Sequence, residues 1–273
     1  MNRRGVTGGS SLPRGAWGDG SPQKEEPAES DPALVAVAHG SADPRAAVAI
    51  GELMTLVAAR AAERSLSVKD PRVAYLGHAA PSLPQVMRTF GPGAHVTVLP
   101  LLLTAAYHSK TDIPRVLART RRQVTYAAPL GPHPLLLRAL ERRLPAVALQ
   151  DPAEVGVVLA AAGSSDPEAN ATIAGLAAQW QAETGWFAVR PAYASAAGPT
   201  PAQAVAELRQ AGARRVVVAS YLLAPGLFAD RIRATAMAAG AAAVSPALGA
   251  SPEVADVVLG RYIEAGTRRQ AAA

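Results

Sequence analysis

The chain has no cysteine among its 273 residues. That absence excludes disulfides, thiolate metal sites, cysteine-ligated iron–sulfur clusters and a cysteine nucleophile, so any metal must be bound through histidine, carboxylate or the substrate itself. Aromatic residues are scarce, at 4%. No basic cluster alternates with them, and the net charge of +6 lacks the footprint of a nucleic-acid groove. It fits attraction of a small polyanionic ligand, or a solvated basic surface, equally well. No window is apolar enough for a membrane span. No Gly-x-Gly-x-x-Gly and no Gly-Lys-Ser/Thr phosphate loop occurs, which leaves a dinucleotide enzyme or a nucleotide hydrolase without support. Residues 1–31 have no apolar period and are expected to form a disordered tail. Arg3-Arg4 within it is followed by neither an apolar stretch nor a small-residue cleavage site, so the expected location is cytoplasmic.

What the chain does have is the same pattern twice. Val35–Ala46 (VAVAHGSADPRA) returns as Val158–Ala169 (VLAAAGSSDPEA), and Leu101–His108 (LLLTAAYH) returns as Tyr221–Phe228 (YLLAPGLF). Leu130–Pro134 (LGPHP) matches Leu248–Pro252 (LGASP), and Pro81–Pro84 loosely matches Pro199–Pro201. The repeat divides the chain into a lobe over 32–148, a second over 149–267, and a short tail over 268–273. The copies differ in one respect that bears on chemistry: His39 falls opposite Ala162, and His108 opposite Phe228. One lobe carries imidazoles where its sister has none, which points to a single site.

Within each copy, short apolar runs alternate with stretches of helical spacing. Leu34–Ala38, Arg72–Leu76, Val96–Leu103 and Val124–Ala127 read as strands buried on both faces, as in a parallel sheet. Asp43-Pro44 offers a helix cap followed by proline at the first helical position, and Ile50, Leu53, Met54, Val57 and Ala61 recur at three- and four-residue steps. Val155–Ala161, the Asp166-Pro167 cap, a helix through Ile173 and Leu176, and Arg215–Leu223 repeat the unit. The expected fold class is α/β, with two similar doubly wound parallel-sheet lobes facing a cleft. Ligands bind such sheets beyond the carboxyl ends of the strands, which is where His39 and His108 fall. His95 begins a strand and His133 sits in a proline-rich turn, and both read as structural. Ser41 beside His39 raises a nucleophilic hydrolase, but Ser164 recurs in the lobe without the histidine. A turn that caps the helix or touches an anion there is the better reading of Gly40-Ser41.

Three segments, His39–Arg45 (HGSADPR), Ala74–Pro84 (AYLGHAAPSLP) and Pro100–Pro114 (PLLLTAAYHSKTDIP), closely resemble the sirohydrochlorin chelatase family in its two-lobe form, from about residue 33 to about 265. The resemblance implies insertion of Fe²⁺ or Co²⁺ into sirohydrochlorin, a polyanionic tetrapyrrole, without ATP or another nucleotide, in siroheme or cobalamin synthesis. His39 and His108 would then be the metal-handling and catalytic histidines. Many family members carry a glutamate at the position of Gly77, so the neighbouring His78 is a candidate third metal contact or proton acceptor. Ser41, Arg45, Lys110, Arg115 and Arg231 are candidates for contact with the substrate carboxylates. The missing glutamate keeps one alternative open, a non-catalytic tetrapyrrole- or metal-binding protein on the same scaffold. No nucleic-acid or membrane partner is expected, and the sequence leaves iron versus cobalt and the oligomeric state open.

Overall fold

The computed structural model describes residues 32–104, 111–146 and 151–271. The expected N-terminal tail lies outside them. The first lobe runs β1 (Ala33–Ala38), α1 (Pro44–Glu63), β2 (Lys69–Tyr75), α2 (Leu83–Arg88), β3 (His95–Pro100), α3 (Ile113–Leu117), β4 (Gln123–Tyr126) and α4 (Pro134–Arg143). The second runs β5 (Val155–Ala161), α5 (Pro167–Glu183), β6 (Ala188–Tyr193), α6 (Pro201–Gln210), β7 (Arg215–Tyr221), α7 (Leu227–Ala238), β8 (Ala243–Val244) and α8 (Pro252–Gln270). Each lobe is a four-stranded all-parallel sheet, ordered β2-β1-β3-β4 and β6-β5-β7-β8. The α/β expectation of two similar lobes holds.

The caps read from sequence form as the side-chain chemistry dictates. The Asp43 carboxylate accepts the Arg45 N–H at the start of α1, and Asp166 accepts the Glu168 N–H at the start of α5, each followed by proline. The five apolar α1 positions named above are all buried. Alternation along β1 splits the first lobe between two cores. Leu34, Ala36 and Ala38 face one shared with the second lobe, and Val35 and Val37 face a core of the first lobe's own.

The shared core exists because each lobe lends its last helix to the other. Helix α4 packs against β7, and Trp180 of α5 donates its indole N–H to Glu141 at 2.6 Å. Helix α8 returns to cover β3, β4 and α1, where Tyr262 donates to Pro32 O at 2.6 Å and Asp256 pairs with Arg60 and Arg64. The helix continues to Gln270, beyond the residue 267 at which the sequence reading ends the second lobe. Cutting the chain between lobes would strip both sheets of a helix and open a common apolar core.

Some strand limits differ from expectation. β3 ends at Pro100 rather than Leu103, because the chain leaves its sheet for contacts elsewhere. Leu102 O accepts the Gly131 N–H at 3.2 Å, and Leu103 O accepts the Tyr221 hydroxyl of the second lobe at 3.2 Å. β2 begins at Lys69 rather than Arg72, through a bulge opposite Ala33 and Val35, and its first residues are exposed and polar, which hides them from an apolar pattern.

Candidate metal-handling site

At the carboxyl end of β1 the chain leaves the buried Ala38 and exposes His39. The next residue, Gly40, lies at φ +89°, where any Cβ would land 1.8 Å from Gly77 O. Glycine is required there twice over, by the left-handed backbone and by the close approach of the β2 exit. That approach is held by two hydrogen bonds at 3.1 Å, Leu76 N–H to Ala38 O and Gly77 N–H to His39 O. The result sets His78 beside His39, with ring centroids 6.4 Å apart and planes 23° apart.

His39 Nδ1 lies 3.0 Å from Gly40 O. A carbonyl only accepts, so in this contact Nδ1 is the donor. Orientation of a ligating imidazole through its other nitrogen is what a metal-handling histidine requires. His108 and Lys110 fall outside the described residues. Among the described residues no group of three or more histidine and acidic side chains gathers as a metal cage.

The second lobe repeats this backbone and fills it differently. Gly163 lies at φ +84° with Ser195 O 2.0 Å from its would-be Cβ, and Ala194 N–H to Ala161 O and Ser195 N–H to Ala162 O reproduce the two strand-exit bonds. His78, at φ +58°, therefore corresponds to Ala196, at φ +60°. The left-handed backbone belongs to the scaffold, and the imidazole is what distinguishes the first lobe. Sequence comparison could have found this third asymmetry by extending the match of Pro81 with Pro199 back to residue 78. Around the same turn, the Ser195 hydroxyl donates to Ala162 O at 2.9 Å, and Asn170 exchanges two bonds with the Ser164 backbone at 3.0 and 2.7 Å. The first lobe has Gly77 and Ala47 at those places, so these side-chain bonds have no counterpart there. A Cβ on Gly77 meets nothing within 4 Å among the described residues.

The remaining candidates occupy distinct places. Ser41 Oγ accepts the Asp43 N–H at 3.1 Å, as Ser164 Oγ accepts the Asp166 N–H at 3.0 Å, so its hydroxyl serves the turn. Arg45 is clasped between carboxylates of both lobes, 2.5 Å from Asp43 and 2.6 Å from Asp230. Its hydrogen bonds to Asp43 and then to Asp230 raise its pKa, and Arg45 in turn lowers that of Asp43. This cation is already neutralised, a circumstance that sequence could not reveal. Arg115 is exposed on α3 and Arg231 on α7. His133 caps α4, its Nδ1 accepting the Leu135 N–H at 3.1 Å, and His95 Nε2 lies 2.9 Å from Thr125 Oγ1, both structural roles. No helix among the described residues is long and apolar enough to cross a membrane.

A family model described as CbiX matches residues 33–147 and again 156–265. The sirohydrochlorin ferrochelatase of Bacillus subtilis is 30% identical over 144 residues, covering 50% of this chain and 54% of its own length. The sirohydrochlorin cobaltochelatase of Priestia megaterium is 28% identical over 145 residues, covering 50% of this chain and 47% of its own length. The chain thus spans about half the length of the curated relatives it matches. The solved structure of SirB from Bacillus subtilis with Fe³⁺ superposes with a TM-score of 0.71 at 25% identity, over 89% of this chain and 98% of that one.

Proposed function

The chain belongs to the CbiX family, and from that premise we propose that it is a sirohydrochlorin chelatase, a lyase that inserts Fe²⁺ or Co²⁺ into sirohydrochlorin without nucleotide hydrolysis, in siroheme or cobalamin synthesis in the cytoplasm. The observation that carries the reading is the pair His39 and His78 at the carboxyl ends of adjacent parallel strands, 6.4 Å apart and absent from the sister lobe. Metallation strips water from a divalent ion, presents it to the ring, and removes two pyrrole N–H protons. Neutral imidazole binds borderline ions such as Fe²⁺ and Co²⁺ and also accepts protons near neutrality, so one residue type serves both demands. His39, whose Nδ1 is turned to Gly40 O, is assigned to the metal substrate by its place at the carboxyl end of β1. His78, beside His39, is the candidate third contact, and His108 is assigned to the site by the family resemblance. The chain's net charge of +6 attracts the ring's carboxylates at long range, with Lys110, Arg115 and Arg231 as candidate contacts and Arg45 available only if Asp230 yields it.

A second reading, tetrapyrrole or metal binding without catalysis, is favoured by one observation: Gly77 stands where many family members carry glutamate. The test is anaerobic incubation of purified protein with excess sirohydrochlorin and either Fe²⁺ or Co²⁺, without nucleotide. Metallated-ring absorbance growing through many turnovers supports the chelatase. A signal that stops at one equivalent per chain supports the binding protein.

A further inference from the structure

Two of the exposed large apolar side chains among the described residues are consecutive: Leu227, 68% exposed, and Phe228, 38% exposed, in the first turn of α7. The others, Val48, Phe187, Met237 and Ile263, are isolated along the chain. Helix α7 buries Ile232 and Ala236 against its own lobe. Phe228 lies on the same four-residue stripe, one turn earlier, so an apolar stripe that begins in a core runs out into solvent. Its solvent end is not at a remote surface. A Cβ on Gly226, the residue before Leu227, would stand 3.7 Å from Ser41 Oγ and 3.9 Å from Asp43 Cβ, in the turn that presents His39. One helical turn later, Asp230 is paired with Arg45 of that same turn. The second lobe therefore holds two exposed apolar side chains against the first lobe's site by a contact on either side. In the repeat, Phe228 is the counterpart of His108.

We propose, resting on the chelatase reading above, that Leu227 and Phe228 form an apolar rest for one face of the tetrapyrrole. The first lobe then supplies the imidazoles that handle the metal, and the second sets the position of the ring. A tetrapyrrole is apolar across its faces and anionic at its rim. An aliphatic and an aromatic side chain match the face, and Arg231, exposed on the same helix, is a cation for the rim. The sister position of a metal-handling histidine thus takes a different task in the same reaction.

The test uses the full chain with Leu227→Gln and Phe228→Gln combined. Metal-free sirohydrochlorin affinity is read by fluorescence titration, and Co²⁺ insertion by steady-state kinetics. Both Kd and KM should rise about tenfold, equivalent to ~1.4 kcal/mol. Loss of ring binding shared by ground and transition states leaves kcat within about threefold of wild type. Leu227→Met with Phe228→Trp should restore wild-type values, and Met237→Gln with Ile263→Gln, the same chemistry elsewhere on the surface, should change neither constant. A thermal melt superimposable on wild type checks that the fold is kept. Unaltered Kd and KM in the Leu227→Gln/Phe228→Gln chain would overturn the inference, as would an equal loss in the remote pair. If wild-type protein itself fails to bind or metallate sirohydrochlorin, the functional reading falls first and the inference with it.

Discussion

Two glycines in matched places allow the structural and chemical consequences of one substitution to be separated. Gly40→Ala puts a side chain at φ +89° and 1.8 Å from Gly77 O; Gly163→Ala does the same at φ +84° and 2.0 Å from Ser195 O. A left-handed backbone costs alanine about 1–2 kcal/mol. Neither backbone contact can be relieved by a rotamer, so the strand exits must part. In the first lobe that removes Leu76 N–H to Ala38 O and Gly77 N–H to His39 O, and in the second Ala194 N–H to Ala161 O and Ser195 N–H to Ala162 O. At a net ~0.5–1.5 kcal/mol per bond, each variant should lose about 2–5 kcal/mol of stability. Urea denaturation should show similarly lowered midpoints with an unchanged slope for both. Their chemistry should differ. Parting β1 from β2 moves His39 away from His78, and displacement of catalytic groups by about 1 Å can cost ~10²-fold, so Gly40→Ala should lose most of its metallation rate per folded molecule. Gly163→Ala, measured at a temperature where it is folded, should keep its rate. Equal rates in the two variants would refute the placement of the site, and wild-type stability in either would refute the geometry.

His39→Ala and His108→Ala should each slow metallation by ~10²-fold or more in steady-state assays, with unchanged circular dichroism, as expected on losing a positioned acid–base group. His78→Ala should lose nearly as much, and Gly77→Glu in that background should recover part of the rate, since among the described residues nothing lies within 4 Å of a Cβ there; near-normal turnover in His78→Ala would reduce the protein's contribution to His39 and His108. Ser41→Ala should retain metallation, because its hydroxyl accepts the Asp43 N–H, and inactivity would revive a nucleophilic serine. The pKa of His133 is lowered by burial and then by Arg261, so the native state holds it neutral where the unfolded chain would protonate it. Stability should therefore decline as pH falls below about 6.5 and through the lower native value, with no contribution above that window. Thermal melts across this range should show the decline reduced in His133→Asn, which caps α4 without titrating.

The alternation of strands and helices, the Asp43 and Asp166 caps and the fully apolar central strands were all legible in sequence, because each is a local pattern with a local cause. The repeat also exposed the asymmetry at His39. Long-range features were not legible. That α4 and α8 change lobes depends on which apolar faces meet, and a periodicity states only that a face exists. The Arg45 clasp joins residues far apart in the chain through α7, so Arg45 read as a spare cation. The correspondence of His78 with Ala196 was available in the sequence but obscured by loop-length drift between the repeats, and only matched backbone bonds at the two strand exits make it plain.

The central claim is one imidazole metal site per chain, in the first lobe and not the second. Anaerobic titration of the purified chain with Co²⁺, followed by the cobalt ligand-field spectrum and by X-ray absorption at the cobalt edge, measures it directly. One nitrogen-ligated ion per chain is expected, lost in His39→Ala and retained in Asn170→Ala, which alters only the matching turn of the second lobe. Two equivalent ions per chain, or an unchanged spectrum in His39→Ala, would contradict the account.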